Sequence, residues 1–191
     1  MRAFDRVLAS LADRGLLLKQ DKELPSVVGI VTGESLRTSW WSHPKGRLIF
    51  AVLSELADHE DVLFTKLLLG KDTLVHRRLW PSLFAVGRSR AAWQRDDLSR
   101  EAERLLARVD DGESVRASGT AVKELEKRLL ATTRQVHTKS GRHEIALESW
   151  DAWSRRVNCR AAESVPRAKK VLEEAAVKLG AAVEALPWRG Q

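Results

Sequence analysis

The sequence predicts an α+β fold that is mainly helical. Two observations predict it. Apolar residues recur at i, i+3, i+4 and i+7 over most of the 191 residues. Two stretches break that rhythm, with short apolar or β-branched runs on either side of Leu69-Gly70-Lys71-Asp72 and Lys139-Ser140-Gly141-Arg142, and both read as β-hairpins. The length suits one compact domain, 1–191. The alternative division is two small helix-plus-hairpin halves, 1–90 and 91–191, with no sequence repeat behind them.

Residues 2–14 carry the stripe Phe4, Val7, Leu8 and Leu11, and Gly15 is the expected stop. Leu16–Leu18 then read as an apolar exit segment. Pro25 opens a short second helix to about Val31, and Gly33 ends it. Pro44 opens a third helix, 44–58, expected to bury Leu48, Ile49, Val52, Leu53 and Leu56. Val62–Arg78 is the first hairpin, and Pro81 permits a short helix with Leu83, Phe84 and Val86 inward. A strong stripe over 97–110 ends at Gly112, with Asp96 and Asp97 suited to its N-terminal end. Ser114–Ala117 is a short strand, and Ser118 or Thr120 is the expected cap of a helix over 120–131. Thr132–Thr138 and His143–Ser149 form the second hairpin. Trp150–Arg160 returns to helix, and a last helix runs over 165–186 to Pro187.

Composition bounds the function. Hydrophobic residues make up 43% and charged residues 31%, as in a soluble globular chain. The longest uncharged stretch in the N-terminal half is Leu24–Gly33, too short for a bilayer span of about 20 residues. No secretory leader is legible, and Cys159 is the only cysteine, so no internal disulfide framework exists and a cytoplasmic location is expected. The net charge of +7 and pI near 9.9 fit binding to a polyanion, or reflect only an arginine-rich composition. The cations are regional: they gather over Lys71–Arg90, Lys123–Arg142 and Arg155–Lys170, whereas acids concentrate at Asp58–Asp61 and Asp96–Glu103.

A helix followed by a two-stranded hairpin makes the fold winged-helix-like. Ser114–Trp150 fits best, although it offers one helix where a full unit has two, and its helix mixes Lys123, Glu124, Glu126, Lys127 and Arg128. The segments Ser39–Gly46, Val75–Pro81 and Val136–Glu144 resemble a family of short, uncharacterised bacterial proteins, a resemblance that covers most of the chain and implies no known activity. The last segment is also weakly similar to winged-helix DNA glycosylases. Those use a Gln-x-Gln or Gln-x-Asp pair, a spelling that Gln94-Arg95-Asp96 matches; capping by Asp96 is the alternative role.

The expected function is non-catalytic binding of nucleic acid, DNA in preference to RNA, through phosphates. Lys71, Arg77 and Arg78 at the first wing and Lys139 and Arg142 at the second would carry it. The first alternative is a protein-interaction module that docks on a partner or a second copy through its wings and C-terminal helix, marked by an exposed apolar patch. The second is an enzyme near His43 and His76. There Trp40, Trp41, His43, Lys45 and His76 would line a ligand cleft with aromatic faces and a positive rim. The competing reading of those residues is a tryptophan-rich core with arginines stacked on it. No phosphate loop, G-x-S-x-G or H-E-x-x-H occurs, and no cofactor is expected. His137 and His143 flank the second turn beside Glu144; cross-strand packing is expected of them and no metal.

Overall fold

In the computed structural model, which describes residues 1–113, 115–116, 118–137, 143–162 and 164–189, the chain forms two compact units. The first holds Met1–Leu79 and residues 172–189; the second holds Trp80–Val171. The fold is α+β and mainly helical, with two three-stranded antiparallel sheets.

Unit 1 opens with α1 (Ala3–Arg14), which buries Phe4, Val7 and Leu11 and ends at Gly15, φ 85°. Leu16–Leu18, expected as an exit segment, is strand β1. All three leucines are fully buried, so the run lacks the polar alternation that marks a half-exposed strand. Next comes α2 (Val27–Thr32), opened by Ser26 rather than Pro25: Ser26 Oγ accepts from the Gly29 N–H at 3.1 Å. A 3-10 turn (Trp40–Ser42) precedes α3 (Gly46–Ala57). Strands β2 (Val62–Leu68) and β3 (Lys71–His76) form the hairpin through Leu69 and Gly70, both at positive φ. The sheet order is β1-β3-β2. Helix, strand, two helices, two strands: the full order sought in the second hairpin region lies here instead.

Leu48 corrects the expectation for α3. Ile49, Val52, Leu53 and Leu56 are buried, but Leu48 is 45% exposed. At 100° per residue it lies at the margin of the inward stripe, beyond the reach of the neighbouring elements.

Unit 2 contains α4 (Trp80–Gly87), α5 (Ala92–Arg95), α6 (Arg100–Asp110), β4 (Val115–Arg116), α7 (Thr120–Lys127), β5 (Thr132–His137), β6 (His143–Glu148), α8 (Trp150–Val157) and the first half of α9 (Val165–Leu179). Its sheet order is β4-β6-β5, with α7 the one helix between β4 and β5. Val109, Val122, Leu125, Leu130 and Leu147 centre one cluster of its core. Three caps differ from expectation. Ser99, not Asp96 or Asp97, caps α6. Gly119 stands at the start of α7 and makes no side-chain cap. Gly180, at φ 94°, stops α9 at Leu179, and the Ala181 N–H bonds back to Ala176 O at 2.9 Å. Leu186 therefore falls beyond the helix, after a 3-10 turn (Val183–Ala185) that belongs to unit 1. Among the described residues no helix is long and apolar enough to cross a membrane.

Candidate functional site

The surface with the most unusual chemistry lies at the start of α3. The 3-10 turn stacks Trp40 on Trp41, with ring centres 4.0 Å apart and planes inclined by 23°. Trp40 is buried; Trp41 is 67% exposed, and its ring lies 5.9 Å from that of Phe50, which is 54% exposed. Local hydrogen bonds fix this corner. His43 Nδ1 accepts the Lys45 N–H at 3.1 Å, which leaves the ring hydrogen on Nε2, 3.3 Å from Glu34 Oε1. Lys45 Nζ donates to Thr32 O at 2.9 Å and so satisfies a terminal carbonyl of α2. A Cβ at Gly46 would stand 3.2 Å from Trp41 O and 3.3 Å from Trp40 O, so a glycine lets α3 begin hard against the turn. Beyond it, the outward side of α3 carries Arg47, Ala51 and Ser54 along a central strip. Phe50 flanks one side, and Leu48 and Glu55 flank the other.

The expected wing cations are engaged within unit 1. Lys71 Nζ lies 2.7 Å from Asp21 Oδ2. Burial of Asp21 opposes its ionisation, but Lys71 and the Glu23 and Leu24 N–H groups together hold its carboxyl below the ordinary range. Asp72 behaves likewise: burial is outweighed by Lys66 and Lys19. Arg77 lies 3.7 Å from Asp61. Arg78 donates from Nη1 to Ala12 O at 2.5 Å and from Nη2 to Asp13 O at 2.7 Å, closing the carboxyl end of α1. The wing turn is tied as well, its Leu69 N–H donating to Ala185 O at 2.8 Å.

The expected cleft does not assemble. His43 precedes α3, whereas His76 pairs with Val62 beyond the far end of that helix. Twelve helical residues separate these two ends, about 18 Å. Desolvation lowers the His76 pKa, with Asp61 opposing. A cleft of about 670 Å³ does exist in unit 1, lined by Gln20, Asp21, Arg37, Leu69 and Lys71 among others, but none of Trp40, Trp41, His43, Lys45 or His76 lines it.

In unit 2, Lys139 and Arg142 lie outside the described residues. His137 and His143 are opposite each other in the β5–β6 register. Among the described residues no group of three potential metal ligands converges. Gln94 is completely buried, and its whole amide is engaged. Oε1 accepts from the Ala91 N–H at 3.0 Å and from Ser89 Oγ at 2.8 Å; Nε2 faces the carbonyls of Gly87, Arg128 and Leu129 at 3.1–3.2 Å. Asp96 ends α5 rather than opening a helix, and its carbonyl accepts from Arg128 Nη1 at 2.5 Å. The Gln-x-Asp spelling is thus used to hold the end of α7. The C-terminal helix buries Ala168, Leu172, Ala176 and Leu179, so its apolar stripe is covered by the chain itself.

No protein-family model matches the chain, nor does any curated protein or solved structure. The residues that sequence reading missed are Arg47, Phe50, Ala51 and Glu55. The signal was present as an i, i+4, i+8 row of Arg, Ala and Glu on the side opposite the apolar stripe.

Proposed function

We propose that the protein is a non-catalytic docking module and that the outward side of α3, together with Trp41, is the surface it docks through. The order of unit 1, with β1 beside β3, is that of a winged helix, in which the second helix after the first strand is the one that meets a partner. Here that helix is α3. One observation carries the reading: Trp41 and Phe50 are both exposed with their rings 5.9 Å apart, an open aromatic surface at the start of α3, and Lys45, Arg47 and Leu48 are exposed on the same ten-residue stretch. The wing and the C-terminal helix, the surfaces first expected to dock, are engaged within the chain. A cytoplasmic location is part of this proposal and fits the single cysteine.

A second reading is nucleic-acid binding along α3, DNA in preference to RNA. It is favoured by the central strip, which bears Arg47 and no carboxylate, unlike α7 with Glu124 and Glu126. Docking on protein ranks first because Lys71, Arg77 and Arg78 would each have to leave a partner in their own unit to reach a phosphate.

Two measurements separate the readings. Peptides selected from a random display library are expected to bind the wild-type chain and to lose the Trp41→Gln, Phe50→Ser double variant. Mixed-sequence duplex DNA and RNA, followed by fluorescence anisotropy across salt, are expected to bind weakly. Tight duplex binding that falls steeply with salt and disappears in Arg47→Glu would overturn the docking proposal in favour of the second reading. Selected peptides that bind the double variant equally well would overturn it outright.

A further inference from the structure

We infer that the partner of α3 is a second copy of this chain, held by antiparallel pairing of α3 with its symmetry mate about a two-fold axis at Ala51. This rests on the docking proposal above and names its occupant. The outward side of α3 is self-complementary about that point. Arg47 lies four residues before Ala51 and Glu55 four residues after it. A two-fold axis through Ala51 therefore sets the Arg47 of each copy opposite the Glu55 of the other, forming two equivalent ion pairs. Arg47 and Glu55 are about 12 Å apart along the helix, so both pairs form in the same register. Ala51 stands at the crossing point. With no side chain beyond Cβ, it allows the helix axes to approach to about 8 Å, the close end of helix packing. Phe50 and Trp41 line the margin, where association removes apolar surface from water.

Neither charge is locked within its own copy. Arg47 is exposed and has no ion pair among the described residues. Among the described residues Glu55 meets only Arg2, at 3.9 Å, and both side chains are exposed. Arg2 already holds Asp5 at 3.1 Å, so Glu55 is available to a better-placed guanidinium. The two signs of charge on the outward side of α3, Arg47 on the central strip and Glu55 on its flank, are what favour a second copy. A polyanion would be repelled by Glu55, and an acidic peptide would leave Glu55 unpaired. The net charge of +7 on each copy opposes association at low ionic strength, so the test belongs at physiological salt.

Sedimentation of the full chain from low micromolar to near-millimolar concentration tests this. The expected result is a reversible monomer–dimer equilibrium. Arg47→Glu and Glu55→Arg should each weaken it at least about tenfold, because each turns two attractive contacts repulsive. The combined Arg47→Glu, Glu55→Arg chain should recover the wild-type constant to within about threefold. Both residues are exposed, and unchanged circular dichroism would show that the variants still fold. A chain that stays monomeric throughout overturns the inference. So does a dimer insensitive to the single reversals, or one that the combined reversal fails to restore. A monomeric chain that still binds selected peptides through Trp41 and Phe50 would sink the pairing alone and leave the docking proposal standing.

Discussion

Each unit contains a close pair of tryptophans, and the two pairs have opposite surroundings. In unit 1, Trp40 and Trp41 are adjacent on a 3-10 turn, so stacking one against the core leaves the other in solvent. In unit 2, Trp150 and Trp153 lie three apart on α8, both 1% exposed, with rings edge to face at 5.3 Å. Trp80 packs edge-on to Trp153 at the same distance. Trp150 Nε1 donates to Leu129 O at 2.7 Å, and the chain passes so close to its ring that only a glycine fits at position 87. Identical side chains thus build a rigid interior in one unit and an open aromatic face in the other. The spacing on the helix or turn, one residue against three, decides which.

Gly87→Ala should test the buried pair most severely. A Cβ there would stand 2.5 Å from Trp150 Cε2 and Nε1, and that ring has no room to retreat. A loss of about 3 kcal/mol or more in urea unfolding is expected, with a shift in tryptophan emission. A cost below about 1 kcal/mol would mean that the interior is looser than the contacts imply.

Gln94→Leu comes next. It removes the buried donor to the Gly87 and Arg128 carbonyls and leaves Leu129 O with Trp150 Nε1 alone, and about 2–4 kcal/mol should be lost in the same measurement. In unit 1 the sharpest response should be to acid. Asp21 and Asp72 both titrate below the ordinary carboxylate range. Their ionised forms therefore stabilise the fold fully above about pH 4, and that contribution is lost as pH falls through their lowered values. Followed by hydrogen exchange in β3, Asp72→Asn should flatten this acid limb. Arg78→Gln should cost about 1 kcal/mol, since the carbonyls it releases at the end of α1 face water. Phe50→Ser should change stability least, within about 0.5 kcal/mol, because its ring is already largely exposed. A large loss there would move Phe50 from docking surface to core.

Much of the fold was legible. The hairpin of β2 and β3, the stripe of α1 and the stop at Gly15 follow from local pattern and turn chemistry. Gly180 was a readable stop for α9 that the continuing apolar stripe masked. The strand β1 was not legible, because three leucines look alike in a linker and in a buried strand; what makes them a strand is β3, far along the chain. The cations misled for the same reason. Lys71 was visible as a charge, but its partner Asp21 is 50 residues away. At the candidate site, Trp41 and Lys45 stood out in the sequence, whereas the exposure of Leu48 and Phe50 did not. A broad apolar stripe does not reveal where its covering ends.

The sequence alone determined the helices, the hairpins and the excess of positive charge, because propensity, periodicity and glycine geometry act over a few residues. Only the tertiary structure decided which leucines form a strand, which arginines remain available and which tryptophan faces water. Burial and ion pairing depend on neighbours that local pattern cannot name.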